Sequence, residues 1–128
     1  MIQFLKKNIN PKGKKTGDCV VRALALATGR EYLDVYSELF YISIKSGYII
    51  NDKRVEEKFL ANHGFIKHKQ PKKPNGKKYL VGEIDKLTND DVIVISCAHH
   101  LTVALSGTIV DTWDCRGKCI SNYFTLDK

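Results

Sequence analysis

The sequence predicts an α+β fold, with amino-terminal helices packed on a carboxy-terminal antiparallel sheet. Two observations predict it. Apolar residues recur at helical spacing through residues 18–61. From Val92 onward the period changes, and β-branched runs bounded by polar residues read as strands.

The elements follow in order. Residues 1–17 are mostly polar, with Asn10-Pro11 and Lys12-Gly13 as turn signals, and read as an irregular arm laid on the surface. A first helix over 18–29 starts at Asp18 or Cys19, with Asp18 as N-cap. Val20, Ala23, Leu24 and Ala27 share one face, and Gly29 ends it. A second helix over 31–45 carries Tyr32, Val35, Tyr36, Leu39, Phe40 and Ile42 on a broad apolar face, and Ser46-Gly47 stops it. A third over 52–61 is capped by Asn51 or Asp52, turns Val55, Phe59 and Leu60 inward, and ends at Asn62-His63-Gly64. A basic loop over 67–78 and a short helix over 81–87 come next. Strands are predicted over 92–96, 101–105, 108–112 and 121–126, with Ser106-Gly107 as a two-residue hairpin turn.

Composition narrows the class. The 128 residues correspond to one domain, with ordinary hydrophobic (43%) and charged (27%) fractions. No apolar run approaches the roughly 20 residues of a membrane span. The amino terminus lacks an apolar export core, so a cytoplasmic location is expected and Cys19, Cys97, Cys115 and Cys119 are read as reduced thiols. The net charge of +7 gathers in 67–78 and in Lys12-Gly13-Lys14-Lys15. These segments read as solvated loops or as a grip for an acidic partner. They lack interleaved aromatics, so nucleic acid is not the expected partner.

Two distant stretches carry chemistry. Thr16-Gly17-Asp18-Cys19-Val20-Val21-Arg22-Ala23 puts a thiol at a helix start, where amide groups and the helix dipole favour a thiolate over a free thiol of pKa about 8.5. His100-Leu101-Thr102-Val103-Ala104 begins a hairpin whose returning strand carries Asp111. With Ser106-Gly107 as the turn, Leu105 pairs with Thr108, Val103 with Val110, Thr102 with Asp111 and His100 with Trp113. His100, Thr102, Ala104, Asp111 and Trp113 then share one face, and His100 and Asp111 are diagonal neighbours. This register selects His100 over His99 and Asp111 over Asp114. Cys19 as nucleophile, His100 as base and acid, and Asp111 as orienting carboxylate fit a thiol hydrolase. The Cys19 N–H would face the oxyanion.

Gly17-Asp18-Cys19, His100-Leu101-Thr102-Val103 and Asp111-Thr112-Trp113 together resemble the papain-like cysteine peptidase superfamily, in its small bacterial and phage branch similar to bacteriocin-leader processing peptidases. Asp111-Thr112-Trp113 matches that superfamily's Asn-Ser-Trp segment, with aspartate in place of asparagine. The resemblance implies a central helix on an antiparallel sheet and cleavage of peptide or isopeptide bonds through an acyl-enzyme, without metal or cofactor. It implies that Trp113 shields the His–Asp bond. Together with the size and lysine-rich composition, it points to a phage or mobile-element protein in the host cytoplasm. The superfamily's oxyanion glutamine stands about six residues before the cysteine. Gly13 occupies that place here, and Asn10 or Asn8 is the candidate substitute if the arm folds back.

Three other readings remain open. The fold can serve as an inactive binding module or basic adaptor. The site can be that of a cell-wall endopeptidase or amidase. Cys97, His99, Cys115 and Cys119 offer four soft ligands for a structural zinc.

Overall fold

The computed structural model describes residues 1–128. In chain order the elements are β1 (Gln3–Lys6), α1 (Cys19–Thr28), α2 (Tyr32–Ser46), α3 (Lys53–Asn62), β2 (Phe65–His68), a 3-10 turn (Val81–Lys86), β3 (Val92–Cys97), β4 (His100–Leu105), β5 (Thr108–Asp111) and β6 (Asn122–Leu126). The class is α+β. No helix is long and apolar enough to cross a membrane.

The six strands form one sheet in the order β1-β5-β4-β3-β6-β2. Every neighbouring pair is antiparallel except β1 and β5, which run parallel. The sheet is therefore mixed, and the expected irregular arm begins with a strand. Gln3-Phe4-Leu5-Lys6 is four residues long with two adjacent apolar positions, so no alternation marks it. β2 was also hidden. Its Phe65 alone is buried, and Lys67 and His68, expected in the basic loop, pair with Phe124 and Tyr123 of β6. The loop itself is tied down, with Gln70 Nε2 donating to Ile120 O at 2.9 Å and Lys73 Nζ reaching Glu83 at 3.1 Å.

α1 is rich in alanine and leucine, and it buries Val21, Leu24, Ala25 and Ala27. Gly29 closes it with φ 67°, a left-handed turn that glycine adopts without cost. Asp18 starts the helix but makes no side-chain cap, because its carboxylate has other partners described below. Asp52 does cap α3, accepting from Arg54 N. On α2 the buried stripe is Val35, Leu39 and Ile42. Tyr36 and Phe40, expected inward, lie one position round the helix and are exposed.

The helices cover one face of the sheet. Leu24, Val35, Leu39, Val55, Phe59 and Leu60 pack there against Val94, Leu101, Val103 and Phe124. The opposite face buries Ile93, Ile95, Ala104 and Ile109 beneath Ile2, Val81, Ile84, Cys115 and Ile120. β3 is thus covered on both faces, which explains why it reads as an unbroken apolar run. The hairpin turn has Ser106 at φ 47° and Gly107 at φ 79°, the pair of positive angles that suits the twist of a two-residue turn. The β4–β5 ladder pairs Leu105 with Thr108 and Ala104 with Ile109, in the expected register, and goes no further; the expected pairs of Val103 with Val110, Thr102 with Asp111 and His100 with Trp113 lie beyond it, while β5 runs on to Asp111 against β1.

Phe59→Ala, at a fully buried position, is expected to lower stability by about 3–5 kcal/mol. Phe40→Ala, at a position 52% exposed, is expected to cost under about 1 kcal/mol. Urea denaturation of both variants checks this.

Candidate functional site

The site forms where the N-terminus of α1 meets the first residue of β4 and the last residue of β5. His100 Nε2 donates to Asp111 Oδ2 at 2.7 Å. That leaves Nδ1 as the ring nitrogen available to Cys19. Trp113 lies over the histidine, with ring centroids 4.9 Å apart. Cys19, His100 and Asp111 are therefore brought together, and Trp113 covers the pair although it has left the β5 ladder.

Asp111 is held from both oxygens. Its Oδ1 accepts from Arg22 Nη1 at 2.9 Å and from the Thr112 backbone N–H at 2.7 Å. Arg22 sits one helical turn after Asp18, and its Nε donates to Asp18 Oδ1 at 2.8 Å. Asp18 Oδ2 accepts from Tyr32 Oη at 2.7 Å and from Asn10 Nδ2 at 3.0 Å. A continuous chain of charge-assisted hydrogen bonds thus runs from Asn10 and Tyr32 through Asp18, Arg22 and Asp111 to His100. All three ions at its centre, Asp18, Arg22 and Asp111, are buried.

This arrangement sets the protonation states. Burial pushes the Cys19 thiol up, but its interactions with the His100 ring and the Leu101 backbone, with the positive charges of His100 and Arg22, bring it below its ordinary value. Burial disfavours the His100 imidazolium, yet Asp111, Cys115 and Cys19 raise its pKa well above the usual value. Burial disfavours the Asp111 carboxylate as well. His100, the Thr112 N–H and the neighbouring Thr102 hydroxyl, which sits beside it without a hydrogen bond of full geometry, hold it well below the usual range. Asp18 is lowered too, against its own burial, by Asn10, Tyr32 and Arg22. The directions favour the charged forms of Cys19, His100 and Asp111 over the neutral ones, relative to the free side chains.

Cys19 and His100 open onto a cleft of about 340 Å³, also lined by Asn51, Lys53, Glu56 and Ser96. Asn10 does not line it. The amide expected to donate to an oxyanion instead binds Asp18 and Tyr32, which corrects that assignment. Asn8, the other candidate, gives its amide to Lys14 O at 3.1 Å. His99 is exposed at the turn between β3 and β4, with φ 56°.

The four soft ligands proposed for zinc do not assemble. Cys97 and Cys115 are buried, Cys119 is exposed, and all four cysteines are free. The ligand atoms that do converge are those of His100, Asp111 and Cys115, within 4.8 Å of one another. The His100–Asp111 separation of 2.7 Å is a hydrogen bond. Two ligands at about 2.0–2.2 Å from a tetrahedral zinc would stand farther apart. Cys115 Sγ is 3.7 Å from Asp111 Oδ2 and serves as a buried neighbour of the pair.

Sequence reasoning missed Arg22, Asn51 and Glu56, and read Cys115 only as a candidate zinc ligand, not as a neighbour of His100 and Asp111. Arg22 had a signal, since it stands four residues after Asp18 on a helix. Comparison with models of known protein families, with curated proteins and with solved structures found no match.

Arg22→Met removes the one guanidinium that Asp18 and Asp111 share, leaving Asp18 without a cation, and is expected to cost about 3–5 kcal/mol at pH 7. Both carboxyls titrate below their ordinary 3.8 in the folded protein, so their contribution is present above that pH and lost as pH falls through the depressed values. The difference between wild type and variant therefore shrinks below about pH 4. Urea unfolding at a series of pH values measures it.

Proposed function

We propose that the chain is a papain-like cysteine hydrolase that cleaves a peptide or protein amide through an acyl-enzyme on Cys19. The observation that carries this reading is the thiol at the start of α1 facing a histidine whose far nitrogen is ion-paired to a buried aspartate. A structural thiol has no use for that arrangement.

The chemistry follows from the protonation states. His100 holds the proton given up by Cys19. The thiolate attacks the carbonyl carbon, a C–S bond forms, and the π electrons move to oxygen. The backbone N–H of Cys19 faces that oxygen. Asn51 is assigned as the second donor, because it carries the one side-chain amide lining the cleft and is not committed to a partner in the chain. As the C–N bond breaks, His100 delivers its proton to the departing amine. Water then attacks the thioester while His100 takes a proton from it, and the carboxylic acid leaves with Cys19 restored as thiolate. Asp111 keeps its proton-free state throughout and fixes the ring so that Nδ1 serves Cys19. Trp113 limits water access to the His100–Asp111 bond.

The rate of Cys19 alkylation by iodoacetamide between about pH 4 and 9 tests the reading, with Cys97, Cys115 and Cys119 resolved separately by peptide mass spectrometry. Wild type is expected to label rapidly at about pH 5–6, well below the ordinary thiol range. His100→Ala is expected to restore an ordinary thiol profile and slow labelling at that pH by roughly tenfold or more, since each unit of pKa is tenfold in thiolate. Slow labelling indifferent to His100 overturns the reading.

A further inference from the structure

α3 carries a carboxylate into the same cleft that none of the steps above uses. Glu56 lies in the first turn of α3 and is only 7% exposed. It lines the cleft together with Ser96 and the titratable side chains of Cys19, Lys53, His99 and His100. No hydrogen bond or ion pair within the chain reaches its carboxylate. Its neighbour Lys53 gives Nζ to Ser96 Oγ at 3.3 Å, and Lys67 pairs with Glu57 at 2.6 Å. Capping of α3 is done by Asp52, so Glu56 has no part in it.

A carboxylate so far withdrawn from water is disfavoured unless a donor satisfies it. Burial pushes Glu56 up to about 7; Lys53 and Lys67 pull the other way, and Glu57 adds to the rise. The chain pairs every other buried carboxylate. Asp18 and Asp111 have Arg22, and Glu83 has Lys73 and Lys86. Glu56 alone is left facing an open cleft beside a nucleophile. Its missing partner is best supplied by a cation, because a neutral donor would leave the buried charge uncompensated. Among the cleft residues it is the only acid.

We infer that Glu56 is a specificity-determining residue that receives the ammonium or guanidinium of a lysine or arginine side chain of the substrate, next to the bond that Cys19 attacks. This inference rests on the hydrolase reading and names the substrate class of that site.

Two chloromethyl ketones test it on the full chain. Tosyl-lysyl chloromethyl ketone offers Cys19 a cation, and tosyl-phenylalanyl chloromethyl ketone offers a neutral side chain. Each rate of Cys19 modification is divided by the same protein's iodoacetamide rate at the same pH. Wild type is expected to favour the lysyl reagent by roughly tenfold at about pH 8, the scale of one close, partly buried charge pair. That preference is expected to decline toward unity by about pH 5.5, as the carboxyl protonates. Glu56→Gln is expected to remove the preference at every pH, and Glu56→Asp to retain part of it. A wild type without the preference, or a Glu56→Gln variant that keeps it, overturns the inference alone. The wild-type pH profile decides the matter even where a variant folds poorly. Iodoacetamide reacting with Cys19 no faster than with the exposed Cys119 overturns the hydrolase reading, and the inference falls with it.

Discussion

A guanidinium cannot shed its proton inside a protein, so Arg22, buried in the middle of an otherwise apolar helix, has to be matched by fixed negative charge. Two carboxylates supply it. One is Asp18, four residues back on the same chain segment. The other is Asp111, 89 residues further on, at the end of β5. Removing either partner would upset the charge balance of a buried ion network, which is far costlier than losing a surface pair. The fork of Arg22 therefore fixes the distance between the start of α1 and the open end of the β4–β5 hairpin, where β4 begins and β5 ends. Cys19 stands next to Asp18, and His100 is bonded to Asp111, so the same fork fixes the thiol against the imidazole.

The amino-terminal arm reinforces this from outside. β1 pairs in parallel with β5 along its full length, and Lys7 N–H continues the pairing onto Asp111 O at 2.8 Å. The chain then crosses to α1, where Asn10 donates to Asp18. One strap thus holds the backbone of one carboxylate and the side chain of the other. Tyr32, at the start of α2, closes the network from the helical side. Around Cys19 and His100 the field is mixed. His100 and Arg22 lower the Cys19 pKa, while the buried Glu56 faces the same cleft without a partner.

Much of this was legible in the sequence because it was local. Gly29 and Ser46-Gly47 marked helix ends, and Ser106-Gly107 fixed a register in which His100 and Asp111 became diagonal neighbours. Cys19 at a helix start needed only the adjacent residues. What stayed hidden was long-range or short. β1 and β2 are four-residue edge strands, too brief for alternation to register, and parallel pairing of β1 with β5 has no local signature. Asp18 read as a cap because its type and position suit one, whereas Arg22 captures the carboxylate. Asn10 read as an oxyanion donor by position, and the same network claims its amide. Tyr36 and Phe40 read as core because one helical face was drawn too wide. Glu56 looked like any glutamate on a charged helix until the fold turned it into the cleft.

In the proposed mechanism the Asp18–Arg22–Asp111 chain holds His100 as an imidazolium beside a Cys19 thiolate. Nitrogen NMR of the His100 ring, in the wild type and in Cys19→Ser near pH 7.5, tests it most directly. Two protonated ring nitrogens are expected in the wild type, with the shared proton lost or its titration shifted to lower pH when the thiolate is replaced by a hydroxyl. A neutral His100 ring in the wild type at that pH, unaffected by the Cys19 substitution, would contradict it.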